Sequence, residues 1–320
     1  MPDRSTPLVS VLMLAYQNEP YVERAIRSVL TQRCEFEFEL LIGEDSSTDG
    51  TLAAIRRALE ADQKNVRVFA RDRNLGMHRN YDELLRTCVG TFVANIDGDD
   101  EWVDPEKLSK QLLAFQRDRD VSMVFGRSEA VDKKGEILSA ADYTRPRSSA
   151  SLNELFVKCD IPHSTIMFRR DLLPSLPAWV LSLPNYDWAI FLILASQGGV
   201  VGLPDVLARY TWHMQGAASG RSNRQHFFAN AQQYVALADR FQSELSFTAL
   251  CEARKRLEDC LSWALLDGGS WYDHASMAIT YLKTCNKLSV APSYRWLAGE
   301  SLSHAERFTD SLWRAAKARR

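Results

Sequence analysis

Apolar and polar residues alternate in blocks along the first two-thirds of the chain, and the blocks switch period from strand to helix. Leu8 to Ala15 is an apolar run, the mark of a strand buried on both faces of a sheet. Pro20 opens a helix whose apolar positions Ala25, Ile26, Val29 and Leu30 keep helical spacing. Phe38 to Gly43 predicts a second strand and Thr51 to Leu59 a second helix. Val66 to Ala70 predicts a third strand, followed by a helix from about His78 to Cys88. A fourth strand, Thr91 to Ile96, ends abruptly in acid at Asp97-Gly98-Asp99-Asp100. Repeated strand–helix units imply an α/β fold with a mostly parallel sheet and helices on both faces. Such sheets bind ligands at the carboxyl ends of their strands.

Beyond Pro105 a helix is expected to about Arg117, then a strand from Val121 to Phe125 and a turn at Asp132-Lys133-Lys134-Gly135. Ser164 to Phe168 predicts a short strand, with His163-Ser164 at its start read as a plain turn rather than a specific contact. Asp187 precedes an apolar helix ending at Gly198-Gly199, and Val206 to Trp212 predicts a last strand. From about Gln225 the pattern is helical to the end. The small polar stretch Ser219 to Asn223 sets a boundary between an α/β domain over 1–222 and a helical appendage over 223–320. Phe227, Phe228, Ala231, Tyr234, Val235 and Leu237 make a face too broad for an exposed helix. That predicts packing on the α/β domain or on a second copy of the chain, which would be a homodimer.

Thirty-nine basic residues against 41 acidic ones give a net charge of −2, which leaves no surplus for holding nucleic acid. The six cysteines are scattered and form no CxxC pair, so reduced thiols are expected rather than a zinc knuckle or a disulfide scaffold. Met1 to Pro7 lacks the apolar core of a signal peptide, and Trp188 to Ala195 is too short to cross a bilayer. The expected location is cytoplasmic, with at most peripheral contact on the inner face of the membrane. The tail Arg314, Lys317, Arg319 and Arg320 reads as a solvated basic end, with contact to anionic lipid as the alternative.

Two clusters carry chemistry. In Asp97-Gly98-Asp99-Asp100 several carboxylates repel one another on one short turn, and a divalent ion such as Mg²⁺ or Mn²⁺ relieves that repulsion. The alternative is a solvated acidic turn ahead of the helix after Pro105. In Glu44-Asp45-Ser46-Ser47-Thr48-Asp49-Gly50-Thr51 a carboxylate is placed to accept from the N–H of a base, while Thr48 or Asp49 caps the next helix. Tyr16, closing the first strand, offers either a face for a nucleobase or simple packing.

These pieces, in order, resemble a family 2 glycosyltransferase of the GT-A fold over Pro7 to about Ser219, roughly two-thirds of the chain. The resemblance rests on Val9 to Asn18, Glu44 to Thr51, Asn74-Leu75-Gly76 with Asn80, and Asp97 to Trp102. It continues through Lys107 to Gln111, Tyr186-Asp187-Trp188, and Leu207 to Tyr210 leading to His213. It implies that Tyr16 lies against the base and that Asp45 hydrogen-bonds it. Asp97 and Asp99 would touch ribose and metal-bound diphosphate, with Asp99 as a metal ligand and His213 adding a metal ligand or a phosphate contact, a satisfied core histidine being its plainer alternative. Asp187 would be the catalytic base of an inverting transfer, with a helix cap as its plainer alternative. Tyr186 and Trp188 would wall a sugar site or pack in the core. The family's usual double Asp after the second strand is here Glu44-Asp45, and its usual Glu-Asp at the base is Tyr186-Asp187.

The implied activity moves a sugar from a nucleotide-diphosphate donor to a glycan or lipid-linked glycan, with a divalent metal. Rival readings are a nucleotidyltransferase, for which no activating basic motif is found, and a catalytically silent nucleotide-sugar-binding subunit. A dinucleotide oxidoreductase is disfavoured because no GxGxxG follows the first strand.

Overall fold

Strand β1 (Val9–Ala15) lies at the centre of an eight-stranded sheet, and its burial on both faces explains its unbroken apolar character. The computed structural model describes residues 6–59, 65–138, 147–213, 221–266 and 271–292. The remaining strands are β2 (Phe38–Glu44), β3 (Val66–Ala70), β4 (Phe92–Asp97), β5 (Glu101–Trp102), β6 (Val121–Val131), β7 (Met167–Arg169) and β8 (Gly199–Thr211). Their order is β3-β2-β1-β4-β7-β6-β8-β5, with β3, β2, β1 and β4 mutually parallel and β7 antiparallel to both of its neighbours. Val9 pairs with Phe38 on one side and Phe92 on the other, so the three strands end level, Ala15 opposite Glu44 and Leu14 opposite Asp97.

Alternation along the strands separates two cores. Val9, Val11, Met13, Leu40, Ile42, Ala94 and Ile96 join α1 (Val22–Leu30), α2 (Thr51–Ala58) and α4 (Lys107–Arg117). Helix α3 (Met77–Thr87) packs on β1 and β2, and polar groups bind it there. Asn80 Nδ2 donates to the Gly43 carbonyl at 2.8 Å, and Ser10 Oγ donates to Glu39 at 2.6 Å. Gly43 is required at this approach, since a Cβ there would lie 2.4 Å from Asn80 Oδ1. Helices α5 (Leu152–Val157) and α6 (Asp187–Ala195) pack on each other.

Strands β6 and β8 run longer than their apolar cores suggest, because they pair in parallel almost throughout and each supplies the other's hydrogen bonds. Of the expected 164–168 strand only Met167 and Phe168 pair in the sheet, in a strand that runs on to Arg169. Residues His163–Thr165 instead form a 3-10 turn.

The chain divides into two compact units, Met1–Gly220 and Arg221–Arg320. In the second, α7 (Asn223–Phe241), α8 (Phe247–Leu266) and α9 (Trp271–Lys287) pack on one another, and Ser222 and Gln225 form a capping box at the start of α7. Phe227, Ala231, Tyr234 and Leu237 are buried, whereas Phe228 and Val235 are only partly so. Within this unit α8 and α9 both pack on α7. The basic tail 314–320 lies outside the described residues. Among the described residues no helix is long and apolar enough to cross a membrane. All six cysteines are free.

Gln111 on α4 ties the two halves of the sheet. Its Nε2 donates to the carbonyls of Val124 and Thr165 at 3.0 and 2.8 Å, and its Oε1 accepts from the buried Lys107 amine at 2.8 Å. That amine also sits 3.9 Å from the centre of the Trp102 ring, and burial pushes its pKa well below the ordinary lysine range. Gln111→Leu strands three buried polar groups, so a loss of about 2–4 kcal/mol is expected in urea denaturation.

Candidate active site

The level ends of β1, β2 and β4 open onto one edge of the sheet, and their loops are knitted together. After β1 the chain passes through Tyr16, which is 48% exposed, to Gln17 at φ 56°, a left-handed conformation for a non-glycine residue. Gln17 is held there by the β2 loop. Its Oε1 accepts from the N–H groups of Thr48 and Asp49, and its own N–H donates to Ser47 Oγ. Asn18 N–H donates to Thr51 Oγ1 at 2.8 Å. Neither Thr48 nor Asp49 is the cap of α2: Gly50 holds that position without a side-chain cap bond, and Asp49, one residue earlier, accepts from Thr51 N–H at 3.0 Å.

Asp45 is almost fully buried. Its two oxygens accept from the N–H groups of Leu75 and Gly76 at 2.7 and 2.9 Å, and its carbonyl accepts from Asn74 Nδ2. The carboxylate therefore clasps the Asn74–Gly76 loop, leaving only its remaining lone pairs for a ligand. Nearby, Arg71 bonds Asn80 through Nε and Glu83 through Nη1, while Arg73 is exposed.

The acidic turn divides its carboxylates among different partners. Gly98 lets it lie against β1, since a Cβ there would be 2.8 Å from Asn18 Oδ1 and 2.9 Å from the Leu14 carbonyl. Asp100 is buried beneath the turn, accepting from Ser164 Oγ and, at 3.2 Å, from Thr211 N–H. Burial, then repulsion by Asp99 and Asp97, raises its pKa well above the ordinary carboxylate value. Asp99 Oδ2 lies 2.8 Å from His213 Nε2, and the His213 ring stacks on Tyr21 with centroids 5.1 Å apart. Asp97 Oδ2 lies 3.3 Å from His163 Nδ1.

Asp187 reaches this region from the first turn of α6. Its Oδ1 accepts from the N–H of Trp188, the very next residue, so it is not a cap of the usual geometry. Burial raises its carboxyl pKa, Asp97 adds to the rise, and His163 opposes it. Tyr186 is buried, stacked on Tyr81 at 4.7 Å and edge-on to His78 and His163 at 5.4 Å each. Trp188 is also buried, donating Nε1 to the Leu155 carbonyl at 2.7 Å. Both rings pack in the interior rather than forming an open sugar-stacking wall. Burial lowers the His78 pKa against the pull of Asp187.

Tyr16, Asp45, Asp97 and Asp99 thus lie at the carboxyl ends of β1, β2 and β4, with His213 bonded to Asp99 and Asp187 within electrostatic reach of Asp97. Sequence reasoning passed over His163, Ser164 and Thr211. The pair His163-Ser164 is no plain turn, because both side chains bond the acidic turn. A polar pair abutting the apolar Ile166–Phe168 was the available signal.

Because Asp100 ionises at higher pH when folded than when unfolded, the folded state binds more protons over that interval, and stability falls as pH rises through it. Asp100→Asn removes this loss. In metal-free protein its stability advantage should be absent below about pH 4 and grow with rising pH, measured by urea denaturation.

Residues 10–176 match the family described as glycosyl transferase family 2. The chain is 29% identical over 211 residues to the uncharacterized protein Rv1520 of Mycobacterium tuberculosis, which is 65% of this chain and only 60% of that protein's length. It is 28% identical over 209 residues to TuaG of Bacillus subtilis, named for teichuronic acid biosynthesis, covering 64% of this chain and 79% of TuaG. The solved mannosyltransferase PcManGT from Pyrobaculum calidifontis, in complex with GDP-Man and Mn²⁺, superposes with a TM-score of 0.57 at 18% identity. That superposition covers 90% of this chain and 86% of PcManGT and shows likeness of fold. Asp187 and His213 lie beyond the residues matched to the family. With more than half of its length matched and the GT-A sheet in place, the chain belongs to glycosyl transferase family 2.

Proposed function

We propose that this glycosyltransferase takes a sugar from a nucleotide-diphosphate donor and transfers it with inversion to a hydroxyl of a glycan or lipid-linked glycan. The observation that carries the reading is the approach of Asp187 to the acidic turn. Asp97 raises the pKa of Asp187, and His163 interacts with both carboxylates. Asp97 and Asp187 are therefore within electrostatic reach of each other and of His163, which supports a donor-binding group beside a general base. PcManGT, with its bound GDP-Man and Mn²⁺, supports the donor class, and the naming of TuaG supports a polysaccharide acceptor.

Tyr16 would lie against the base, with Asp45 and the loop that it clasps closing the base site. Asp97 would accept from the ribose. Asp99 and His213 would hold a divalent ion. The two side chains already lie together, Nε2 2.8 Å from Oδ2, and would supply an imidazole and a carboxylate ligand to the ion. Such an ion supplies Lewis-acid stabilisation of the charge that grows on the leaving diphosphate. The acceptor oxygen attacks the anomeric carbon as the bond to diphosphate breaks, and its proton passes to Asp187. The raised pKa of Asp187 makes it a stronger base than an exposed carboxylate, though it must still be ionised to act.

Asp187→Asn is expected to keep donor affinity, measured by calorimetry, and to lower turnover by roughly 10²–10⁴-fold. In the unsubstituted enzyme the acid limb of the kcat/KM profile should lie above the ordinary carboxylate range, activity falling as Asp187 is protonated. Near-normal turnover in the variant, or a product with the donor's anomeric configuration by NMR, would count against the base and the inverting course.

Asp99→Asn should abolish transfer while leaving the fold intact, and excess EDTA should do the same. A thermal-shift screen of UDP and GDP with and without Mn²⁺ should show a metal-dependent rise in Tm for one base over the other. Full turnover in EDTA, or no shift with any nucleotide, would sink this reading.

A further inference from the structure

His163 is nearly buried at the start of the 163–165 turn, and its two ring nitrogens face different neighbours. Nε2 lies 2.8 Å from Asn95 Nδ2, and Nδ1 lies 3.3 Å from Asp97 Oδ2. Asn95 is fully buried on β4, and Tyr81 anchors its amide, the phenol oxygen lying 3.0 Å from Nδ2 and 3.2 Å from Oδ1. An amide nitrogen only donates. Nε2 therefore accepts, and the neutral ring carries its hydrogen on Nδ1, a tautomer inferred from these partners. Protonating the ring adds a hydrogen at Nε2, which the Asn95 amide can accept only by turning its oxygen to the ring, and leaves the first in place. In either charge state Nδ1–H points at Asp97.

The turn itself is fastened from behind. Trp102 Nε1 donates to the Ser164 carbonyl at 2.8 Å and Gln111 Nε2 to that of Thr165 at 2.8 Å, while Ser164 Oγ is committed to Asp100. The imidazole is thus held on a rigid support, with its hydrogen already directed, before any ligand arrives.

We propose that His163 is a positioning residue for Asp97. Its Nδ1–H holds Oδ2 of that carboxylate and leaves Oδ1 to accept from the nucleotide. Without it the carboxylate would sample several orientations, and ligand binding would bear the cost of ordering it. The 3.3 Å contact is long for N–H···O, as contacts in sites without substrate often are. The inference rests on the proposed donor-binding role of Asp97.

The test separates the two ring nitrogens. An Asn side chain at 163 places its amide nitrogen near the position of Nδ1, whereas Gln reaches the position of Nε2. UDP and GDP affinities, measured by calorimetry with Mn²⁺ on full-length protein, should fall about 10- to 100-fold in His163→Ala and His163→Gln. They should stay within about 3-fold in His163→Asn. Circular dichroism and Tm establish that each variant is folded. A Gln variant that binds as well as the unsubstituted protein, or an Asn variant as weak as the Ala variant, would overturn the proposal.

A second readout needs no nucleotide. Nitrogen-15 spectra of histidine-labelled protein should show neutral His163 hydrogenated at Nδ1, with that resonance moving in Asp97→Asn. A neutral form hydrogenated at Nε2 would overturn the proposal. If the unsubstituted protein binds neither nucleotide, the donor-binding reading of the site fails, and the nitrogen spectra alone decide whether His163 holds Asp97.

Discussion

Three carboxylates on the four-residue turn Asp97 to Asp100 cannot all remain charged, close and dry, and the site is built around how that conflict is resolved. Asp100 turns inward, where Ser164 Oγ and Thr211 N–H satisfy its oxygens and burial favours its neutral form. Asp99 turns toward His213, and Asp97 toward His163. Each resolution recruits a different part of the chain. The turn at 163–165, the end of β8 and the end of β4 therefore meet because one acidic turn needs partners from all of them.

The same economy governs the loops after β1 and β2. Gln17 adopts a left-handed backbone because its side chain supplies acceptors to Thr48 and Asp49 that the loop lacks. Asp45 spends its carboxylate on the backbone of Leu75 and Gly76. A charged group satisfied by backbone N–H groups is held rigidly. The loops at the strand ends are thus fixed to one another by polar bonds. Packing of α1, α2 and α4 beneath the sheet only brings the strand ends level.

Behind the acidic turn, Lys107, Trp102 and Gln111 form a buried support. The lysine amine lies over the indole, the indole N–H holds the Ser164 carbonyl, and Gln111 bridges Val124 and Thr165. An uncompensated polar group here would be costly, so the three residues stand or fall together. This explains why Lys107 to Gln111, read in the sequence only as part of a family resemblance, has a physical role within reach of the site.

The sequence by itself determined the order of strands and helices apart from β5 and α5, the mostly parallel sheet, and the acidic turn at the end of β4. Each depends on local period, on Pro and Gly, or on an unbroken apolar run such as Val9 to Ala15, all of which are written in neighbouring residues. The run of acid at the end of an apolar strand also drew attention to Asp97 and Asp99, whereas Asp187 and His213 were suggested only by resemblance to a family. Tertiary structure decided what local pattern cannot carry. Whether His163 is a plain turn residue or a partner of Asp97 depends on β4 lying beside a turn about 66 residues away. Whether Trp188 stacks a sugar or fills the interior depends on the Leu155 carbonyl of a different helix. Which of four adjacent residues is buried, and so becomes a neutral support rather than a ligand, depends on Ser164 and Thr211 arriving from distant strands and turns. Hydrogen-bond partners of buried polar groups are chosen by the fold, and that choice assigned roles within the acidic turn.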